Sequence, residues 1–155
     1  MIENKKIVVI GAGGLLGRAV VKKALGLGAK VVAVDIDESR LREYLIDSNL
    51  YGESVSVIKL DLTKKQEVEA FFQELGSVDG LINCSYPRNT KYGQHFFDVE
   101  LDSFNENVSL HLGTAFLVMQ QAAKFYGKSE RPFSLVNISS ISICCWSIQC
   151  KKELD

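Results

Sequence analysis

The stretch Ile7-Val8-Val9-Ile10-Gly11-Ala12-Gly13-Gly14-Leu15-Leu16-Gly17 runs from a β-branched segment through a glycine-rich turn into helical spacing. Four consecutive branched apolar residues suit a strand buried on both faces, as in a parallel sheet. Glycines after such a strand let the backbone turn sharply and come close to a pyrophosphate. The helix that follows presents free N–H groups and the positive end of its dipole to the same point. Leu15, Leu16, Ala19, Val20, Ala24 and Leu25 recur at helical spacing up to Gly26 and Gly28. The spacing is not G-x-G-x-x-G, whose third glycine would fall on Leu16.

The same alternation continues outward. Val31 to Val34 reads as a second buried strand closed by Asp35, and Asp37 can cap a helix carrying Leu41, Tyr44 and Leu45. Val55, Val57 and Leu60 suit a third strand ending at Asp61. Thr63 and Gln66 have capping-box spacing ahead of Val68, Phe71, Phe72 and Leu75. Gly80-Leu81-Ile82 belongs to a fourth strand ending at Asn83. A long loop over 85–100 contains Pro87, Arg88, Asn89 and Gly93, and loops of that length inside a compact domain are often functional. A long helix is expected over 101–127, with Phe104, Val108, Leu112, Phe116 and Met119 on one side. Residues 133–139 read as a fifth strand. Strands alternating with helices give an α/β fold, a doubly wound parallel sheet of about five strands.

The chain of 155 residues allows one domain, expected over 1–140, with a divergent tail over 141–155. Apolar residues are 46% and charged residues 24%, with a net charge of −1 and no basic stripe. That balance argues against nucleic acid and anionic membranes as partners. No apolar run is long enough to span a bilayer, and the N-terminus lacks a signal-peptide pattern, so a cytoplasmic location is expected. Cys84 stands apart from Cys144, Cys145 and Cys150, and no pair has C-x-x-C spacing. The cysteines therefore read as reduced and structural, and no metal site is expected.

Asp35 lies 18 residues after Gly17, at the end of the second strand. A carboxylate there can accept from both ribose hydroxyls of NAD and would repel the extra phosphate of NADP. No arginine follows to offset that repulsion, so NAD is expected in preference to NADP. Asp35 can equally serve as a helix cap, and Asp61 as a loop carboxylate.

Together these residues resemble the short-chain dehydrogenase/reductase family over about Lys5 to Ser140, with its Rossmann-like fold. Gly11 and Gly17 match the first and last glycines of T-G-x-x-x-G-x-G, while Ile10 replaces the Thr and Leu15 the middle glycine. Asp61-Leu62-Thr63 is similar to the family's adenine-side motif. Asn83-Cys84-Ser85-Tyr86 stands in the place of Asn-Asn-Ala-Gly and retains Asn83. The resemblance implies a cofactor site of Gly11, Gly13, Gly14, Leu15, Leu16, Gly17, Asp35, Asp61, Leu62, Asn83 and Ser85. It also implies a catalytic Ser140, at the end of Val136-Asn137-Ile138-Ser139-Ser140, which would bond the substrate's reacting oxygen. His111 falls where the family carries a catalytic Asn. It could hold a water in a proton relay, since imidazole donates and accepts; it could also be a packed helix histidine. Asn107 reads as a helix-surface or loop-tethering residue, and His95 as exposed. The leucine pair after the glycines, with Tyr86-Pro87-Arg88-Asn89, is similar to a subgroup linked to flagellin modification and sugar biosynthesis. There Tyr86, Arg88 and Asn89 would line a polar substrate pocket or form a structured loop.

The activity implied is hydride transfer between nicotinamide and an alcohol or carbonyl, possible sugars included, on a small-molecule substrate. That chemistry needs Tyr-x-x-x-Lys, where the lysine charge lowers the tyrosine pKa. None of Tyr44, Tyr51, Tyr86, Tyr92 and Tyr126 has a lysine four positions on, and the expected tyrosine position falls near Glu153. The expectation is a truncated chain with a tail unrelated to the family, of frameshift origin, inactive by itself. Alternatives are a non-catalytic dinucleotide-binding module or a relative of nucleotide-sugar epimerases. Without the family's later strands, Leu135, Val136 and Ile138 would lie on an edge strand and the long helix would lose cover. Self-association into a homo-oligomer is the expected result.

Overall fold

The structure, a computed structural model, describes residues 2–129 and 132–139. Ser140 and the 141–155 tail, with Cys144, Cys145, Trp146 and Cys150, lie outside the described residues. Five parallel strands form one sheet: β1 (Lys6–Ile10), β2 (Lys30–Asp35), β3 (Val55–Lys59), β4 (Gly80–Asn83) and β5 (Ser134–Asn137), in the order β3-β2-β1-β4-β5. Helices α1 (Leu15–Gly26), α2 (Glu38–Asp47), α3 (Lys65–Glu74), α4 (Leu101–Val108) and α5 (Thr114–Ser129) make the crossovers.

The period-2 geometry of β1 divides the core. Val9 packs with Val21, Ala24, Leu41 and Leu45 of α1 and α2 on one face. Val8 and Ile10 pack with Val68, Phe71 and Phe72 of α3 and Val118 and Ala122 of α5 on the other. A central strand covered on both sides has to be apolar throughout, which accounts for the unbroken Ile7–Ile10 run. The order reverses direction between β1 and β4. Ligands collect outside the carboxyl edge of the strands at such a point. Ile10 is in register with both Val34 and Asn83, and Asn83 with Asn137, so the turns after all four strands meet at one edge.

Three local expectations are corrected. The first turn of α1 is not part of its packed stripe: Leu15 is 91% exposed and Leu16 58%. That turn stands above the sheet edge, and the helix packs instead through Gly17, Val21 and Ala24. The capping box of Thr63 and Gln66 does not form. Thr63 donates its amide (3.0 Å) and hydroxyl (2.7 Å) to Asp61 Oδ1, and α3 begins after Lys64 with no side-chain cap. A nearby aspartate offers the hydroxyl a shorter local turn than the helix does. The helix expected over 101–127 is interrupted by a π-helical turn, Ser109–Gly113, between α4 and α5. By contrast, Asp37 caps α2 as expected, accepting from the Arg40 amide at 3.0 Å.

Among the described residues β5 pairs only with β4, and Val136 is 51% exposed. Leu112 and Phe116 also face outward. The face of α5 toward the sheet carries Val118 and Ala122, with Phe125 beside them.

Candidate cofactor-binding site

The glycine turn is closed by backbone contacts that leave no room for side chains. The amides of Gly11 (2.8 Å) and Ala12 (3.0 Å) donate to the Val34 carbonyl, and Gly14 donates to the Gly11 carbonyl at 3.1 Å. Gly11 has φ +74°, and a Cβ there would lie 2.8 Å from the backbone of Ser85. A Cβ on Gly17 would fall on the Gly11 carbonyl and 2.7 Å from Ala12 Cα. These two glycines are therefore fixed by close approach, one to the turn after β4 and one to its own loop. Gly14 is the N-cap of α1 without a side-chain bond, and the first turn of α1 has no acidic residue. Its free amides and dipole are left for an anion, which is what a pyrophosphate requires.

Asp35 sits directly beside this turn. Its Oδ2 accepts from the Gly13 amide at 2.7 Å and its Oδ1 from the Asp37 amide at 3.1 Å. A carboxylate has about four acceptor positions, so roughly two remain for a diol. Gly13 can approach because a Cβ there would lie 3.0 Å from Asp35 Oδ2. Arg18 is engaged elsewhere, donating to the Gly13 carbonyl at 2.9 Å and stacking 4.3 Å over Tyr44. Asp61 holds its own turn through Thr63, and the side chain of Leu62 is in the core, so only the backbone of Leu62 is left to meet a ligand.

Asn83 is fully buried. Its Nδ2 donates to Asn137 Oδ1 at 2.8 Å, while its Oδ1 accepts from the Ser85 amide (3.1 Å) and hydroxyl (2.6 Å). The side chains of Asn83 and Ser85 are thus used within the protein, joining β4 to β5 and shaping the floor on which Gly11 rests. Cys84 is half-buried, and burial pushes its thiol pKa up, which disfavours a reactive thiolate. The described residues hold no group of side chains able to bind a metal.

His111 lies in the π-helical turn with 6% exposure, and neither ring nitrogen has a hydrogen-bond partner among the described residues. Its ring stacks on Tyr86, 4.0 Å between centroids, and meets the edge of Tyr92 at 5.6 Å. Burial, and then the charge of Arg88, lower its pKa and keep the imidazole neutral. The hydroxyls of Tyr86 and Tyr92 share a 2.8 Å bond. Burial and that bond push the Tyr86 pKa up to about 12, so Tyr86 holds its proton at neutral pH. It is unsuited to replace the absent proton-transfer tyrosine.

The loop over 85–100 is fastened by a reciprocal clasp. The Asn89 amide donates to Asn107 Oδ1 (3.0 Å), and Asn107 Nδ2 donates to Asn89 Oδ1 (2.9 Å). Asn89 Nδ2 also reaches Ser103 Oγ at 3.1 Å and Glu106 Oε2 at 2.6 Å. Asn107 is a buried loop tether, not a surface residue, and Asn89 belongs to the tether and not to a pocket lining. Loop tethering was one of the two sequence readings of Asn107; its pairing with Asn89 and the role of Tyr92 were missed. The only signal was the density of Asn, Pro and Tyr in the loop. His95 is exposed as expected.

A family model described as short chain dehydrogenase matches residues 5–144. The chain is 31% identical over 147 residues to post-translational flagellin modification protein A of Campylobacter coli, covering 91% of this chain and 57% of that protein. It superposes on a short-chain type dehydrogenase/reductase from Mycobacterium ulcerans with a TM-score of 0.75 at 20% identity, covering 91% of this chain and 53% of the other. A short chain dehydrogenase from Leptospira borgpetersenii with bound NAD+ gives a TM-score of 0.74 at 23% identity, with coverage of 90% and 53%. The chain therefore spans little more than half the length of the relatives it matches. No described helix is long and apolar enough to cross a membrane. With the glycine turn, the acidic end of β2 and the family match in agreement, this chain belongs to the short-chain dehydrogenase family.

Proposed function

We propose that these residues form the NAD-binding half of an oxidoreductase that passes hydride between nicotinamide and an alcohol or carbonyl carbon. The observation that carries this reading is the Asp35 carboxylate held 2.7 Å from the Gly13 amide, with acceptor positions left for a ribose diol. The pyrophosphate would lie on the free amides of the first turn of α1, Leu15 to Gly17, since the Gly13 and Gly14 amides are held by Asp35 and the Gly11 carbonyl. Asp61 and Leu62 would flank the adenine. When bound, NAD supplies the hydride acceptor.

Ser140, just beyond β5, would bond the reacting oxygen, and neutral His111 would position a water for proton transfer. The Tyr-x-x-x-Lys pair is not among the 155 residues. Alone, these residues bind cofactor without turnover. A sugar substrate is the finer part of this proposal, supported by the resemblance of Leu15-Leu16 and Tyr86-Pro87-Arg88-Asn89 to a subgroup linked to flagellin modification and sugar biosynthesis.

NADH and NADPH titrations followed by fluorescence test the cofactor reading. NADH binds at least about tenfold tighter, and Asp35→Ala erases the difference, as expected when a like charge disfavours the 2′-phosphate. Equal affinities in the unaltered chain overturn the NAD preference. We further propose that copies associate through the open side of β5 and the outward Leu112 and Phe116. A single monomeric species in ultracentrifugation at high concentration contradicts this.

A further inference from the structure

We infer that His111, Tyr86, Tyr92 and Arg88 form a substrate subsite for a hydroxylated, anionic small molecule, whose hydroxyl pairs with His111 and whose carboxylate or phosphate pairs with Arg88. The inference rests on the oxidoreductase reading only for its place beside the nicotinamide. Three observations carry it.

The first is the buried imidazole with both nitrogens unpartnered among the described residues. A buried polar group left without a partner costs about 1–3 kcal/mol. A site that keeps two such atoms is completed by a ligand or by water. In its neutral form the ring offers one donor and one acceptor on diverging nitrogens, so a substrate hydroxyl pairs with one and the positioned water with the other. The second is Arg88, which is exposed and in no ion pair among the described residues, its guanidinium 5.7 Å from the centre of the Tyr92 ring. A guanidinium suits bidentate binding of carboxylate or phosphate.

The third is that the subsite is built in advance. The Asn89–Asn107 clasp fixes the loop on α4, the Tyr86–Tyr92 bond fixes the two rings, and the π-helical turn sets His111 beneath them. Such turns in helices are frequent at functional sites because they re-aim one side chain. Tyr86 follows directly on Ser85, whose backbone touches Gly11, so the subsite is continuous with the glycine turn.

Glucose 6-phosphate, glucuronate and glucose, titrated separately into the full chain with and without NADH, test this by imidazole NMR. The two histidines make His111 assignable, with exposed His95 as the internal reference. At least one charged probe moves the His111 resonance at about tenfold lower concentration than glucose, and leaves His95 in place. Arg88→Met brings the charged probes to the level of glucose, and Arg88→Lys restores part of the gap. The tighter of the two anions identifies phosphate or carboxylate as the group recognised. Equal responses to all three sugars, no response at His111, or an unchanged gap in a folded Arg88→Met overturn the subsite. NADH binding in the same samples separates the two readings: its loss with the anion effect intact breaks the cofactor reading alone.

Discussion

The β1–β2 half of the sheet and the β4–β5 half are built to different degrees of closure. β2 has four consecutive buried residues, Val31 to Val34, and the turn beside it uses nearly every amide, on Val34, Gly11 or Asp35. In β5 no residue is fully buried, and the π-helical turn before α5 holds an imidazole with no hydrogen-bond partner among the described residues. In the first half the amides without a side-chain cap are those at the N-terminus of α1, where we propose the pyrophosphate. Among the described residues the second presents a strand edge, an outward apolar stripe and a polar ring without hydrogen-bond partners. On our proposal, the dinucleotide site is finished by local packing, whereas the substrate subsite draws on polar groups that find no partner among the described residues.

The largest expected effect comes from filling the closed half. Gly17→Val places carbon on the Gly11 carbonyl, and we expect a loss of about 3 kcal/mol in urea unfolding together with loss of NADH binding. A stable variant that still binds NADH would show that the turn has slack. Next, paired truncations weigh the halves against each other. Leu81→Ala in buried β4 should cost about 3 kcal/mol, and Leu135→Ala in half-buried β5 about 1 kcal/mol. Equal costs would mean that β5 is covered as well as β4.

The smallest effect is a pH slope. His111 has a folded pKa below its ordinary 6.5. As pH falls through that value, the unfolded chain takes up a proton that the folded chain refuses. Stability therefore declines from about pH 6.5 downward and levels off below the folded pKa. His111→Gln should flatten this part of the stability profile, and an unchanged slope would place the titration elsewhere.

The closed half was the more legible in sequence. Ile7–Ile10 and Val31–Val34 are β-branched runs that buried parallel strands require, and Gly11, Gly17 and Asp35 lie where the turn needs them. The exposure of Leu15 and Leu16 was not legible, because helical spacing does not reveal that the first turn stands above the sheet. Nor was the π-helical turn, since its residues Ser109 to Gly113 fit an α-helix by composition. His111 and Arg88 are 23 positions apart, and only the folded loop brings their chemistry together. The Asn89–Asn107 clasp is equally non-local: tethering was one of two readings open for Asn107, but the sequence does not show that Asn89 is its partner.

The central claim is that the glycine turn and Asp35 bind a dinucleotide whether or not turnover follows. Calorimetric titration of NADH into the folded chain tests it most directly. We expect one saturable site per chain, with affinity on the order of micromolar in the unaltered chain and a loss of about tenfold or more in Asp35→Ala. No heat of binding from a chain whose circular dichroism shows it folded, or full affinity retained in Asp35→Ala, would contradict it.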